Sequence, residues 1–218
     1  MSASLLIDIQ YVGKMAPCSR KIDRVGPEKY KVSLRAAMGT TMHEPLVVPY
    51  DPGWPEAFAA EAVAIAQALP DIALSINHIG STAIPGILAK PVIDMLGAAD
   101  SLQRMDKAAP ALEALGYEAM GAFGIPGRRY FRKTHPAGRR THHLHVFETG
   151  SPHVERHIAF RDYLKAHPLI AGAYSDLKAQ LALAPGADPA AYVAGKAPFV
   201  SATETAALAW YRRRGRNA

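Results

Sequence analysis

The run Pro91-Val92-Ile93-Asp94-Met95-Leu96 constrains this chain more than any other segment. Its nearly continuous apolar row suits a strand buried on both faces, so other layers must pack above and below it. Asp94 interrupts that row. An unpaired carboxylate in such surroundings is costly, so the residue is not easily dismissed as part of the core. Thirteen positions earlier, a strand-like run over 72–79 ends in Gly80-Ser81-Thr82. A strand that runs into such a turn presents backbone N–H groups and a hydroxyl at one point, which suits a phosphate oxygen. A Gly-Ser turn alone is common and is usually only a turn. Beside a buried-strand aspartate it gains meaning, because Mg²⁺ prefers one or two carboxylates together with phosphate oxygens.

Elsewhere the pattern predicts alternating strands and helices. Leu46–Tyr50 is β-prone and stops at Asp51-Pro52-Gly53, a turn sequence. Phe58, Ala62, Ile65 and Leu69 share one face of a helix over about 55–69. A second helix is expected over 101–115, stopped by Gly116 and kinked or divided by Pro110. Residues 127–134 and 141–148 read as strands joined by the hairpin loop 135–140. The remainder reads as helices over 152–166, 168–184, 189–193 and 202–213. The last is introduced by Ser201-Ala202-Thr203-Glu204, which fits a capping box.

Charge excludes one broad class. The formal net charge of +6 resides at the ends: residues 1–41 carry +4 and residues 212–218 carry +4, leaving −2 for the body between. A basic N-terminal extension (1–41), expected to be poorly ordered, therefore precedes one domain (42–211) and a basic tail (212–218). Met42 is an alternative start. Nucleic acid is not the expected partner, because the body has no general attraction for a polyanion. No apolar run approaches the roughly 20 residues that span a bilayer. With one cysteine, Cys18, and no signal-like start, the expected compartment is the cytoplasm.

Two further groups could carry chemistry. Period two places His143, His145 and Phe147 on one strand face and His142, Leu144 and Val146 on the other. Leu144 and Val146 suit the core, so the His143/His145 pair should project together towards a cleft. Such imidazoles bind transition metals, exchange protons or contact phosphate, although a polar exposed face is the plainer account. Arg128, Tyr130 and Arg132 share one face of the neighbouring strand, and Arg129, Phe131 and Lys133 the other. Arginine's fork suits a phosphorylated ligand, with Arg129 and Arg132 as candidates. Lys90, just before the Asp94 strand, is a stronger single candidate. His157 and Arg161 are four apart on a helix and could face the cleft, but a satisfied helix surface explains them more simply.

The segment HIGSTAIPGILAKPVIDML, with VVPYDPGWPEAF, HHLHVFETGS, HIAFRDYLKAHP and YVAGKAPFV in the same order, resembles the GrpB family over about residues 46–200. The resemblance implies an α+β, nucleotidyltransferase-like fold: a mixed twisted sheet with helices packed on one face and a helical C-terminal part. In that superfamily a Gly-Ser turn and an Asp-x-Asp strand bind a nucleoside triphosphate and Mg²⁺. Gly80, Ser81 and Asp94 match the pattern, but the second carboxylate falls on Leu96. Two-metal catalysis needs several carboxylates to hold cations about 4 Å apart, and leucine cannot serve. Members also occur fused to dephospho-CoA kinase, yet this chain has no Gly-x-x-x-x-Gly-Lys-Ser/Thr phosphate loop.

The expected function is binding of a nucleotide or other phosphorylated small molecule with Mg²⁺ or another divalent cation, and nucleotidyl transfer to an acceptor if catalytic. Gly80, Ser81, Thr82, Lys90, Arg129 and Arg132 would hold phosphate. Asp94 and His145 would hold the cation, and Asp94, His143 and His145 form the catalytic set. The rival is a catalytically inactive module that binds a ligand or partner in a regulatory role, and Leu96 is its best support.

Overall fold

The structure, a computed structural model, describes residues 46–215. The expected extension over 1–41 lies outside the described residues, as do residues 216–218 of the expected tail. The elements run α1 (Trp54–Ala68), β1 (Leu74–Ile79), a 3-10 turn (Ser81–Ala83), β2 (Ile93–Ala99), α2 (Leu102–Ala114), β3 (Tyr117–Ala119), β4 (Arg129–Thr134), β5 (Arg140–Glu148), α3 (Pro152–Ala166), α4 (Pro168–Leu183) and α5 (Pro189–Gly215).

Among the described residues five strands form one mixed sheet in the order β1-β2-β5-β4-β3. Only β2 and β5 are parallel, because the chain between them crosses through α2 and the β3–β4 pair before returning. Alternation then sorts the side chains. Met95, Phe131, Leu144 and Val146 meet Trp54, Ile65, Met105 and Leu112 in the main core beneath α1 and α2. On the opposite face, Ile79, Leu96 and Phe147 form a smaller cluster closed by Val154 and Ile158 of α3. The β2 strand is thus covered on both sides, as its apolar run required.

Local rules hold at several helix starts and fail at two prolines. The Ser101 side chain accepts a hydrogen bond from Arg104 N at 3.3 Å, and Ser151 one from His153 N at 3.4 Å, each capping its helix. Pro110 does not divide α2. The helix runs through it, with Met105 and Leu112 fully buried on either side, and that packing offsets the lost backbone bond.

The helices expected over 189–193 and 202–213 are one helix, α5, which contains Pro198 and extends to Gly215. Its interior Gly195 allows close approach to α4, since a Cβ there would lie 2.4 Å from Leu181 Cδ2. Ser201 is consequently an exposed helix-interior residue and caps nothing. Ser201→Ala is therefore expected to leave stability unchanged or raise it by about 0.5 kcal/mol. A urea titration that showed a loss of about 1 kcal/mol, the usual cost of deleting a cap, would contradict the continuous helix.

Candidate functional site

Register brings the candidate residues together. Asp94 pairs across the sheet with Ile79 on one side and His143 on the other, so the end of β1, the Gly80 turn and the β5 imidazoles meet along one line. Gly80 adopts φ +69°, and a Cβ there would stand 2.4 Å from Asp94 Oδ2. The missing side chain is what lets the carboxylate lie against the turn. Its other oxygen, Oδ1, accepts from His143 Nδ1 at 3.0 Å. With His145 added, three ligand atoms lie within 4.8 Å of one another. Side-chain exposures of 32% for Asp94 and 23% for His143 leave both reachable from outside.

These groups line a hollow of about 350 Å³, together with Ser81, Lys90 and Lys196. A larger open groove of about 840 Å³, lined by Lys165, Trp210 and Arg214 among others, contains none of the candidate residues. The smaller hollow is where the titratable side chains converge.

Electrostatics inside the hollow follow from burial and neighbours. Burial opposes ionisation of Asp94, but the hydrogen bond and charge of His143, followed by His145 and Lys196, outweigh it and hold the carboxyl below its ordinary value. Burial lowers His145 to about 4 against the pull of Asp94, and His157, His143 and Arg128 lower it further. The ring is therefore neutral at pH 7, the form that binds metals. Arg128 Nη1 lies 3.4 Å from His145 Nδ1, and a cation at that nitrogen would displace it. Tyr130 stacks on His145 at 5.0 Å, and His157 of α3 lies 6.2 Å from the same ring.

The structure divides the remaining candidates. Lys90 lines the hollow. Thr82 lines it too, but it is 1% exposed and its hydroxyl is engaged between the Val92 carbonyl at 3.4 Å and His78 Nε2 at 3.0 Å. Arg129 is not brought to the hollow. It pairs with Val146 in register, which places it on the face beneath α1 and α2, where it binds both oxygens of Asp106 of α2. Arg132 does share the face of His143, yet its guanidinium is occupied by Glu118 of β3. Arg161 turns inward to donate to the His78 carbonyl at 3.0 Å.

Two lysines that local patterns do not single out complete the surroundings. Lys196 projects into the hollow from α5, although Gly195 and Pro198 make the surrounding sequence read as a turn. Lys178 of α4 is 1% exposed and donates to Ser81 Oγ at 2.9 Å. Ser175, one turn earlier, accepts from Leu88 N at 2.8 Å, so α4 braces the loop between the Gly80 turn and β2.

The model of the GrpB protein family matches residues 44–206, three quarters of the chain. The chain belongs to the GrpB family. It is 40% identical over 171 residues to UPF0157 protein YqkA of Bacillus subtilis, covering 78% of this chain but only 49% of that protein. To the glutamate-rich protein GrpB of Alkalihalophilus pseudofirmus it is 34% identical, covering 75% of this chain and 95% of that one. Among solved structures, conserved protein GrpB from Enterococcus faecalis aligns with a TM-score of 0.71 at 41% identity, over 76% of this chain and 98% of the other. The likeness in fold thus holds between two chains that differ at more than half of their aligned positions. Among the described residues no helix is long and apolar enough to cross a membrane.

Proposed function

We propose that the hollow binds a nucleotide or another phosphorylated small molecule together with a divalent cation, and that the protein transfers the nucleotidyl group to an acceptor. The observation that carries this reading is the convergence of the Gly80-Ser81 turn, Asp94 and the His143/His145 pair around one hollow that also holds Lys90 and Lys196. The two lysines suit phosphate, and the turn offers Ser81 beside them.

A carboxylate beside a neutral imidazole fits a transition-metal ion better than Mg²⁺, which favours oxygen ligands. Asp94 and His145 would hold that ion, whose chemistry would be to neutralise charge on phosphate oxygens. The His143 ring is oriented by Asp94 through Nδ1, which leaves Nε2 to take a proton from an acceptor hydroxyl. Asp94→Ala in the full chain is expected to weaken binding of a nucleoside triphosphate with Mn²⁺ at least tenfold by calorimetry. Unchanged affinity would defeat the assignment.

Leu96 favours a second reading, that of a catalytically inactive binding module. It stands where a second carboxylate would be needed, and it is fully buried against Ile79 and Phe147. A two-cation centre has no place there. Incubation with labelled nucleoside triphosphates, divalent metals and a metabolite mixture separates the two readings. Pyrophosphate release above a boiled control excludes the inactive module.

A further inference from the structure

Ser81 and Lys178 stand ninety-seven positions apart in sequence and in direct hydrogen-bond contact, Nζ to Oγ at 2.9 Å. Lys178 is buried among α4, the Gly80 turn and α5. Its amine faces Ser81 Oγ, the Leu88 carbonyl and the Tyr174 ring, whose centroid lies 4.3 Å away. Among the described residues no carboxylate pairs with it. As placed, the amine donates to Ser81 Oγ and to the Leu88 carbonyl and lies over the Tyr174 ring face; once it gives up a proton, its lone pair can instead receive the Ser81 O–H. Ser81 meanwhile opens into the hollow, whereas Lys178 lies behind it, away from solvent. A buried amine behind a half-buried hydroxyl that lines an open hollow is the arrangement of a nucleophile and its base.

We propose that Ser81 is a nucleophile with Lys178 as its general base, attacking a phosphorus of the ligand held in the hollow. The Ser81 Oγ–phosphorus bond forms as the bond from phosphorus to the leaving oxygen breaks, and the serine proton passes to Lys178 Nζ. With a nucleoside triphosphate attacked at its α-phosphorus, pyrophosphate leaves with the electron pair. A nucleotidyl-serine then remains for the acceptor, or for water, to discharge. Burial, with Lys196 of α5 as a second cation nearby, lowers Lys178 to about 7, so a useful fraction of the amine is free at neutral pH. Tyr174 also hydrogen-bonds Ser81 and is itself raised to about 12 by burial, so it stays protonated across that range. The choice of natural substrate rests on the phosphorylated-ligand reading; the nucleophile itself does not.

The test is covalent labelling of the full chain with an alkyl fluorophosphonate, in which Ser81 Oγ displaces fluoride from phosphorus. Intact mass and peptide mapping should place one label on Ser81, with a rate that rises about tenfold per pH unit and levels above about 7. Ser81→Ala should abolish the label, and Lys178→Met should slow it by about a hundredfold while circular dichroism still reports a folded chain. Absence of label at every pH, a pH profile that keeps rising well above neutrality, or undiminished labelling of Lys178→Met overturns the proposal. Where Lys178→Met fails to fold, the wild-type pH profile decides. Calorimetry with nucleotide runs in parallel: lost binding with intact labelling removes only the ligand reading, and intact binding without labelling removes only the nucleophile.

Discussion

Lowering the pH from 7 to 5 is expected to cost the fold on the order of 3 kcal/mol through His145 and His157 alone. Burial lowers both rings to about 4 from an ordinary 6.5, so the unfolded chain takes up protons that the folded one refuses. Stability is full above the unfolded value, falls as pH drops through 6.5, and has lost nearly all of this contribution once pH reaches about 4. His78, lowered to about 4 by burial with Lys165 and Arg161 nearby, acts in the same direction. Asp94 adds no loss at pH 5, because its folded and unfolded forms are both ionised there; its contribution disappears only at lower pH. His157→Gln should remove part of the sensitivity while leaving the Asp94–His143 pair in place. Urea midpoints at pH 7 and pH 5, at matched ionic strength, measure the effect, and equal midpoints would show that these rings are not held neutral by the fold.

Gly80→Ala should destabilise the protein by about 2 to 4 kcal/mol and also disable the hollow. Two costs combine at this position. The φ of +69° strains any side chain, and the new methyl would stand 2.4 Å from Asp94 Oδ2 and 3.0 Å from its Cβ. Relief requires the carboxylate to swing away, which breaks its bond to His143. Gly86 isolates the first cost, for it has φ +81° and open space within 4 Å of where a Cβ would stand. Gly86→Ala should lose only about 1 kcal/mol and keep ligand affinity. Thermal melts and calorimetry on both variants check this, and equal behaviour would mean that Asp94 does not rest against the Gly80 turn.

Much of the site is legible from periodicity. Leu144 and Val146 are fully buried, and His143 and His145 face the other way, as alternation along β5 demands. The same rule separates Arg128, Tyr130 and Arg132 from Arg129, but alternation within a strand does not say which set faces the hollow. That depends on register with β5, where Arg129 meets Val146. Among the described residues the Leu46–Tyr50 run forms a single bridge, Val48 to Ala89, in place of the strand expected there. Pro110, Gly195 and Pro198 mislead for one reason: each breaks a helix in isolation, and each is overridden where buried side chains hold the turns on both sides.

Local pattern marks the residues that could not be ordinary: an aspartate in a doubly covered strand, a glycine before a serine, two histidines in alternate positions. Strand and helix periods act over a few residues and are written into neighbouring side chains, so these features could be read directly. Long-range packing is what lines one hollow with residues 81, 94, 143, 145 and 196 and sets Gly80 and Lys178 directly behind it. Crossover topology, strand register and the packing of α4 and α5 set those distances. Each depends on side chains far along the chain, and for that reason no local pattern announces Lys178 behind Ser81 or Lys196 beside Asp94.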